Sequence, residues 1–283
     1  MNFLERVYRK AALCRAFEEE VYRRVEAKQI TCPVYLSAGQ EYIPATIATW
    51  CEDKKLWPKI FIQHRGHSTY LCFGGDMVAL WRELLGDKRG CAGGMGGSAS
   101  IQHKGEPDIF GHDGLMGSQI PIAVGYCHAT RHPTIVFAGD AAIEEDYALA
   151  ALGWAATQKL PILFVVEDNG LSILTEKKVR RSWSIVKVTE GFGLLAFATE
   201  DSPATLRNKL GYPWPLLLNV TTTRLFWHAG AGRDVPLGKD RHTRVRAELC
   251  QWEVLPTASV IESDQKATDQ VKASWALALE AAK

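Results

Sequence analysis

Two short polar segments each follow an apolar stretch that is typical of a buried strand. Gly139-Asp140 comes directly after residues 134–138, and Glu167-Asp168-Asn169 comes directly after residues 161–166. Because the carboxyl ends of parallel strands line one crevice, we expect Asp140 and Asn169 to meet there. A carboxylate oxygen and an amide oxygen are hard ligands that suit Mg²⁺, which completes its octahedron with water and phosphate oxygens. The pattern therefore indicates a site for Mg²⁺ and a phosphate-bearing ligand.

The residues around Asp140 favour an anion at the same place. Gly139 lets the backbone turn closely, and the helix expected after Ala141-Ala142 presents an N-terminus, which attracts negative charge. Each part also has an ordinary interpretation, because an aspartate after a strand often caps the next helix and Asn169-Gly170 alone is a common turn. The two segments together, with a strand–helix–strand unit between them, favour binding.

Alternating strand and helix patterns provide the framework for these segments. The predicted strands are residues 59–63, 134–138, 161–166 and 216–222, and the predicted helices are residues 3–28, 120–130, 147–158 and 265 to the end. Asp76 is a candidate cap for a helix through residues 81–85. The alternation indicates an α/β fold with a parallel sheet flanked by helices on both faces. We expect a single domain over residues 1–283, with an N-terminal helical arm (about 1–30) and a C-terminal helical tail (about 260–283).

A glycine-dense stretch at residues 90–97 should form an irregular loop. Its glycines could cradle a phosphate, but it lacks the lysine–serine ending of a P-loop and follows no clear strand. We therefore interpret it as an active-site loop.

Composition excludes several classes of protein. The net charge is +1 and 23% of residues are charged, which predicts neither a nucleic-acid partner nor a membrane surface. The seven cysteines lack any CxxC spacing, and the charged start of the chain does not resemble a signal peptide. These features predict a cytoplasmic protein without structural disulfides or a zinc site.

The chain resembles the alpha subunits of two-chain, thiamine-diphosphate-dependent 2-oxo acid dehydrogenase E1 components, which include the pyruvate, branched-chain and acetoin enzymes. The resemblance runs from about Arg6 to Val235 and implies the thiamine-diphosphate-binding fold. The stretches that carry it occur in the order typical of the family: Tyr35-Leu36, Gly39-Gln40-Glu41, His64-Arg65-Gly66-His67, Gly90 to Ser98, Gly111 to Gly125, Gly139 to Asp146, Lys159-Leu160-Pro161, Glu167 to Leu171, and Thr223-Arg224 with His228.

The resemblance implies roles for individual residues around the cofactor. It makes Asp140, Asn169 and the backbone carbonyl of Leu171 the Mg²⁺ ligands. The residues implied to bind thiamine diphosphate are His64, Arg65, Gly114, Met116, Gly139, Asp140, Ala141, Ala142, Asn169, Leu171 and His228. Within that set Arg65 would grip the diphosphate, and Gly114 and Met116 would hold the aminopyrimidine.

Two histidines are implied to act near the substrate. His67 matches a histidine at the mouth of the active site, and His228 matches one on a mobile loop near the diphosphate. His64 stands where the family usually has tyrosine, so its contact is a weaker expectation.

The resemblance also implies an activity and partners. We expect a chain that decarboxylates a small 2-oxo acid, passes the acyl unit to an acceptor, and is inactive without a beta subunit that supplies a glutamate. The expected assembly is an α₂β₂ heterotetramer, and a lipoyl acyltransferase is a candidate further partner. Two alternatives stay open: half of a split transketolase, and a non-catalytic relative of the fold.

Several positions depart from the family pattern. Ala141 replaces a glycine, Asp168 replaces the first of two asparagines, Ala99-Ser100 stand where Met-His is common, and residues 183–215 form a shorter stretch than usual. None of these changes removes an implied metal ligand.

Overall fold

A parallel sheet organises the described part of the chain, which in this computed structural model comprises residues 1–230, 232, 240–251 and 256–280. The strands are β1 (Lys59–Phe61), β2 (Ile109–Phe110), β3 (Thr134–Gly139), β4 (Ile162–Asp168), β5 (Leu171–Ser172), β6 (Thr175–Glu176), β7 (Leu195–Glu200) and β8 (Leu216–Thr221). Within the described residues, six of them form one sheet in the order β2-β1-β3-β4-β8-β7, and every neighbouring pair is parallel. The remaining two, β5 and β6, form a small antiparallel hairpin.

The helices are α1 (Phe3–Glu26), α2 (Tyr42–Lys54), α3 (His67–Cys72), α4 (Met77–Leu84), α5 (Gln119–Thr130), α6 (Asp146–Thr157), α7 (Lys177–Arg180), α8 (Ile185–Gly191), α9 (Pro203–Leu210), α10 (Arg241–Gln251) and α11 (Thr257–Leu279). A short 3₁₀ turn covers Ala142–Glu144. Among the described residues, none of these helices is long and apolar enough to cross a membrane. The expected end of the family resemblance at Val235, and the last three residues of the C-terminal tail, lie outside the described residues.

The central strands bury both faces, as the sequence predicts. Along β3, Ile135 and Phe137 pack into one core with α1, α2 and α11, whereas Val136 and Ala138 pack into a second core with α5 and α6. The alternation arises because successive side chains of a strand point to opposite faces. The predicted α/β fold with helices on both faces is therefore confirmed.

Local signals predicted some elements and missed others. Asp76 caps α4 as predicted, since its Oδ1 accepts from the Val78 N–H at 2.8 Å. The sequence analysis missed α2, which is buried almost all round and so lacks the polar face that marks an amphipathic helix. It also missed the succession α8, β7 and α9 within residues 183–215.

The N-terminal and C-terminal helices pack against each other. Trp81 of α4 joins them: its ring lies 4.3 Å from that of Phe17 and 5.0 Å from that of Trp275, and its Nε1 donates to Ser274 Oγ at 2.9 Å. The two ends of the described chain therefore share one core.

The glycine-rich loop at residues 90–97 wraps around a carboxylate. Glu83, which is 1% exposed, accepts hydrogen bonds from the backbone N–H groups of Ala92, Gly94, Gly96 and Gly97 at 2.7 to 3.1 Å. Gly94 has a φ of +75°, and a Cβ there would lie 2.6 Å from the Gly86 carbonyl oxygen. These amides are thus engaged by Glu83, which argues against a phosphate cradle.

Replacing this carboxylate should destabilise the fold. Glu83→Ala leaves four loop N–H donors without their acceptor, and we expect the free energy of unfolding in urea to fall by about 3 kcal/mol or more. Glu262→Gln is the matched control, because Glu262 is 62% exposed in its ion pair with Lys266 and should change stability by less than about 0.5 kcal/mol. Equal effects of the two substitutions would contradict a structural role for Glu83.

Candidate functional site

A pocket of about 220 Å³ lies at the carboxyl ends of β1, β3, β4 and β8. Its walls come from the segments that follow these strands, as expected for a ligand crevice of a parallel sheet. The lining residues are Gln63, His64, Arg65, Met116, Gly139, Asp140, Ala141, Ala142, Glu145, Asn169, Leu171, Ser172, Ile173, Arg224 and His228. All the site residues named from the sequence, except Gly114 and His67, line this one pocket.

Asp140 reaches the pocket from the end of β3. In the parallel pairing of β3 with β4, Gly139 lies opposite Glu167, so the next residues of both strands emerge at one edge. Asp140 is 1% exposed, and its Oδ2 accepts from Arg180 Nη2, while Arg180 Nη1 binds Glu144 at 2.5 Å. Burial raises the pKa of Asp140 to about 6, with a further contribution from the charge of Asp168, and Arg180 offsets part of the rise. A divalent cation would relieve this unfavourable burial of charge.

Asn169 forms a tight turn at the end of β4. Its Oδ1 accepts from the Leu171 N–H at 3.1 Å, and Gly170 between them has a φ of +76°. Its Nδ2 donates to Gln40 Oε1 at 3.0 Å. The turn places both Asn169 and Leu171 in the pocket wall, where the sequence predicted them as ligands.

The neighbouring Asp168 belongs to a different environment. Its carboxylate accepts from Lys177 Nζ at 2.5 Å and from Asn219 Nδ2 at 2.9 Å, and it does not contribute to the pocket wall. The aspartate that replaces the family asparagine is therefore paired with Lys177 outside the pocket wall.

A cluster of aromatic rings holds His64 and His228 at the pocket. The Tyr35 ring contacts both histidines, at 5.1 Å from His64 and 5.4 Å from His228. Burial, and next the charge of Arg65, lower the pKa of His64 to about 2, so its ring is neutral. Its Nε2 is buried and has no hydrogen-bond partner among the described residues. A phosphate oxygen would satisfy a proton on that nitrogen.

Arg65 is buried beneath the histidines. Its Nη1 donates to the Leu36 carbonyl at 2.7 Å and its Nη2 to the His228 carbonyl at 3.2 Å. Arg65 thus connects the segment after β1 to the segment after β8, and its positive charge faces the pocket.

The segment after β3 accommodates Ala141 without backbone strain. Ala141 has φ −82° and ψ −39°, a conformation open to any L residue, and it opens the 3₁₀ turn that includes Ala142. The glycine usual in the family is not required by the backbone here, and the methyl group of Ala141 takes up space in the pocket.

Met116 and Gly114 belong to the loop before α5. Met116 lines the pocket and is 37% exposed, and its carbonyl accepts a hydrogen bond from the Tyr147 hydroxyl. Gly114 has a φ of +98°, and its N–H donates to Nδ1 of the buried His112 at 3.0 Å. Gly114 lies beside the pocket wall without forming part of it.

His67 occupies a position different from the expected active-site mouth. It is fully buried, its Nδ1 lies 3.1 Å from Glu18 Oε2, and its Nε2 lies 2.8 Å from Ser98 Oγ. Ser98 Oγ in turn accepts from the Tyr35 N–H at 2.9 Å. His67 is buried because α3 begins at this residue and turns its side chain into the protein, where it joins the glycine-rich loop to Tyr35.

Sequence reasoning missed several pocket residues. Arg224 adds a second guanidinium, 4% exposed, that donates to the Ile173 carbonyl at 2.9 Å. Gln63, Glu145, Ser172 and Ile173 also line the wall. Arg224 stood in a stretch that matches the family, but nothing in a single sequence shows that the segment after β8 folds over the pocket.

The pocket suits a polyanion with a divalent cation. Asp140 and Asn169 offer two hard oxygen ligands, Arg65 and Arg224 supply positive charge, and His64 has a buried nitrogen to satisfy. In the described part of the chain, no group of three or more His, Cys, Asp or Glu side chains could hold a metal ion. A cation here would therefore take further oxygens from its ligand and from water, as Mg²⁺ does.

Comparisons with known proteins agree on one family. The family described as "Dehydrogenase E1 component" matches residues 9–200. The chain is 32% identical over 194 residues to the alpha subunit of acetoin:2,6-dichlorophenolindophenol oxidoreductase from Cupriavidus necator, covering 66% of this chain and 57% of that subunit. It is 31% identical over 167 residues to a mitochondrial pyruvate dehydrogenase E1 alpha subunit from rice (Oryza sativa), covering 57% of this chain and 42% of that subunit. The chain thus spans about half the length of these two relatives.

Two other matches extend over nearly the whole chain. The pyruvate dehydrogenase E1 alpha subunit from Rickettsia prowazekii is 26% identical, covering 93% of this chain and 85% of that subunit. Transketolase from Leishmania mexicana superposes with a TM-score of 0.61 at 14% identity, covering 99% of this chain and 47% of that chain, a likeness of fold alone.

The raised pKa of Asp140 predicts an unusual effect on stability. A carboxyl whose pKa is about 6 when folded and about 3.9 when unfolded stabilises the fold fully below pH 4, and this stability is lost as pH rises through 6. In the metal-free protein, Asp140→Asn should therefore increase the free energy of unfolding at pH 8 by about 3 kcal/mol, and the gain should vanish near pH 4. Urea unfolding at several pH values measures this.

The control substitution, at Asp108, should change the free energy of unfolding in the opposite direction. Asp108 forms a hydrogen bond with Lys59 at 2.6 Å that lowers its pKa, so its stabilising contribution is present at pH 8 and is lost as pH falls. Asp108→Asn should lower stability at pH 8. If Asp140→Asn lowers it as well, the buried charge of Asp140 is not a source of instability.

Proposed function

Because the chain belongs to the dehydrogenase E1 component family, we propose that it is the cofactor-holding alpha subunit of an enzyme that decarboxylates a 2-oxo acid. The observation that carries this proposal is the convergence of Asp140, Asn169, Arg65 and His228 on one pocket at the carboxyl ends of the strands. The family implies thiamine diphosphate as cofactor. When bound, it supplies the carbon nucleophile and electron sink that decarboxylation of a 2-oxo acid requires.

The chain's residues would divide the work of binding this cofactor. Asp140, Asn169 and the Leu171 carbonyl would hold a Mg²⁺ ion, which would supply positive charge for the diphosphate. Arg65 and Arg224 would neutralise the diphosphate, and the buried Nε2 of His64 would donate to one of its oxygens. The pocket's polar groups thus match a diphosphate and its cation.

The other end of the cofactor would lie towards Met116. Met116 presents an apolar side chain to the pocket, and the Gly114 turn beside it can approach a ring closely. His228 would stand near the substrate, while the buried His67 would position Ser98 and Tyr35 rather than touch substrate. Ala141 narrows the pocket and is a candidate determinant of which 2-oxo acid fits.

Features of the pocket support the proposal of a beta subunit. The carboxylates that line it, Asp140 and Glu145, both follow β3 at the diphosphate end, so an acid for the aminopyrimidine would come from another chain. The nearby side chains Leu115, Ile173 and Leu174 are 60%, 57% and 76% exposed, which suits a rim that a partner covers. We propose an α₂β₂ assembly, with a lipoyl acyltransferase as a candidate acceptor of the acyl unit.

A reducing, cytoplasmic location fits the cysteines. All seven are free in the structure, and a compartment that keeps thiols reduced is where unpaired cysteines are expected. This location is part of the proposal.

Cofactor binding should depend on both metal and pH. A proton competes with Mg²⁺ for Asp140, so affinity for thiamine diphosphate with Mg²⁺ should fall as pH decreases through about 6, by about tenfold per unit below it. Calorimetry from pH 5 to 8, with and without Mg²⁺, measures this. In Asp140→Asn the gain from Mg²⁺ and the fall in affinity below pH 6 should both be smaller than in wild type, because an amide carries no charge and takes up no competing proton. A variant that keeps both in full would exclude Asp140 as a ligand.

Activity should require the partner. The chain alone should not reduce 2,6-dichlorophenolindophenol with pyruvate or a branched 2-oxo acid, whereas the chain purified with its transketolase-like beta subunit should. Ketose phosphates serve as the control substrates for a split transketolase, the alternative with the same fold. Full activity of the chain alone, or of the complex with ketose phosphates only, would contradict the proposal.

A further inference from the structure

The Gly39-Gln40-Glu41 segment does not line the pocket described above. It lies between α1 and α2, well before the pocket residues in sequence, and Gln40 is 1% exposed. Gln40 Oε1 nevertheless accepts from Asn169 Nδ2 at 3.0 Å. The segment therefore contacts one of the two side chains that carry the proposed metal site.

This contact determines which end of the Asn169 carboxamide faces which neighbour. Only the oxygen of an amide can bind a cation, and the Leu171 N–H donates to the Asn169 oxygen on one side at 3.1 Å. The amino end must then find an acceptor on the other side, and Gln40 Oε1 is that acceptor. A flipped Asn169 would set two oxygens against each other at Gln40 and two donors against each other at Leu171.

The contact with Asn169 uses the oxygen end of the Gln40 amide. Gln40 Oε1 accepts from Asn169 Nδ2, whereas the buried Gln40 Nε2 has no hydrogen-bond partner within the described residues.

The backbone that carries Gln40 is clamped on several sides. Gly39 has a φ of +98°, and a Cβ there would collide with the Thr223 carbonyl oxygen. The Gly39 carbonyl accepts from Thr222 Oγ1 at 3.1 Å, and Glu41 accepts from the Gly39 N–H at 2.5 Å and pairs with Arg15. The turn thus joins α1 to the end of β8 and leaves the backbone of Gln40 little freedom.

We propose that Gln40 is a positioning residue that keeps the oxygen of Asn169 turned to the divalent cation. The inference rests on the proposed function in one respect, since it takes Asn169 as a metal ligand. Partners that orient a ligand in this way commonly change metal affinity by 10- to 100-fold when they are lost.

Metal binding tests the inference without an activity assay. Gln40→Met is close in size and offers only a weak sulfur acceptor, so Asn169 can rotate its amino end towards the cation. We expect the full chain carrying Gln40→Met, in complex with its beta subunit, to bind Mn²⁺ in the presence of inorganic pyrophosphate at least about tenfold more weakly than the wild-type complex, by calorimetry and by the Mn²⁺ paramagnetic resonance signal.

A second substitution distinguishes a positioning role of Gln40 from a general loss of structure at the site. Asn169→Asp has an oxygen at both ends, so rotation no longer matters, and Gln40 can turn its own amide to donate. In the Asn169→Asp background, Gln40→Met should therefore weaken Mn²⁺ binding by less than about twofold, a coupling that the double-mutant cycle measures. A merely structural role would give the same loss in both backgrounds.

The outcomes distinguish this inference from the function on which it rests. Three results together support both the role of Gln40 and the proposed function. Wild type binds Mn²⁺ with pyrophosphate, Gln40→Met binds it about tenfold more weakly, and in the Asn169→Asp background Gln40→Met has little effect. Unchanged binding in Gln40→Met, or an equal loss in the two backgrounds, overturns the role of Gln40 while the metal site stands. If the wild-type chain in complex with its beta subunit does not bind Mn²⁺ with pyrophosphate at all, the proposed function itself fails.

Discussion

The parallel pairing of β3 with β4 is the constraint on which the site depends. Because Gly139 lies opposite Glu167, the first residues beyond both strands must emerge together from an apolar sheet. Asp140 emerges where water is scarce, so burial raises its pKa and its charge is poorly solvated. The strand tips therefore hold a carboxylate that gains stability from any cation placed beside it.

Residues from other parts of the chain pair with the polar side chains at these strand ends. Arg180 reaches Asp140 from α7, Lys177 neutralises Asp168, and Gln40 satisfies the amino end of Asn169. Two of these contacts involve the proposed metal ligands: Arg180 binds Oδ2 of Asp140, and Gln40 accepts from the side-chain nitrogen of Asn169. The site is thus held ready by contacts outside it, which reduces the rearrangement that binding requires.

The sequence predicted the parts of the site that follow from local pattern. Asp140 and Asn169 stood after recognisable strands, and strand adjacency follows from the helix between them, so their convergence could be predicted. The contacts that orient them could not, because Gln40 lies 129 residues from Asn169 and Arg180 lies 40 residues from Asp140. His67 shows the same limit, since a motif fixes its place in the chain but not the direction of its side chain at the start of α3.

The surroundings of Asp168 and Ala141 show how each of these departures from the family pattern affects the site. Asp168 binds Lys177 and Asn219 outside the pocket wall, and its charge is, after burial, the next contribution that raises the pKa of Asp140. Ala141 keeps an ordinary backbone conformation and changes only the room available in the pocket. A chain that had lost its ligand would have no reason to keep Asp140 charged in a poorly solvated place, because an uncharged side chain there is the more stable choice. The retained carboxylate therefore argues for a binding site, with Ala141 altering what fits it, and against a scaffold that has lost its function.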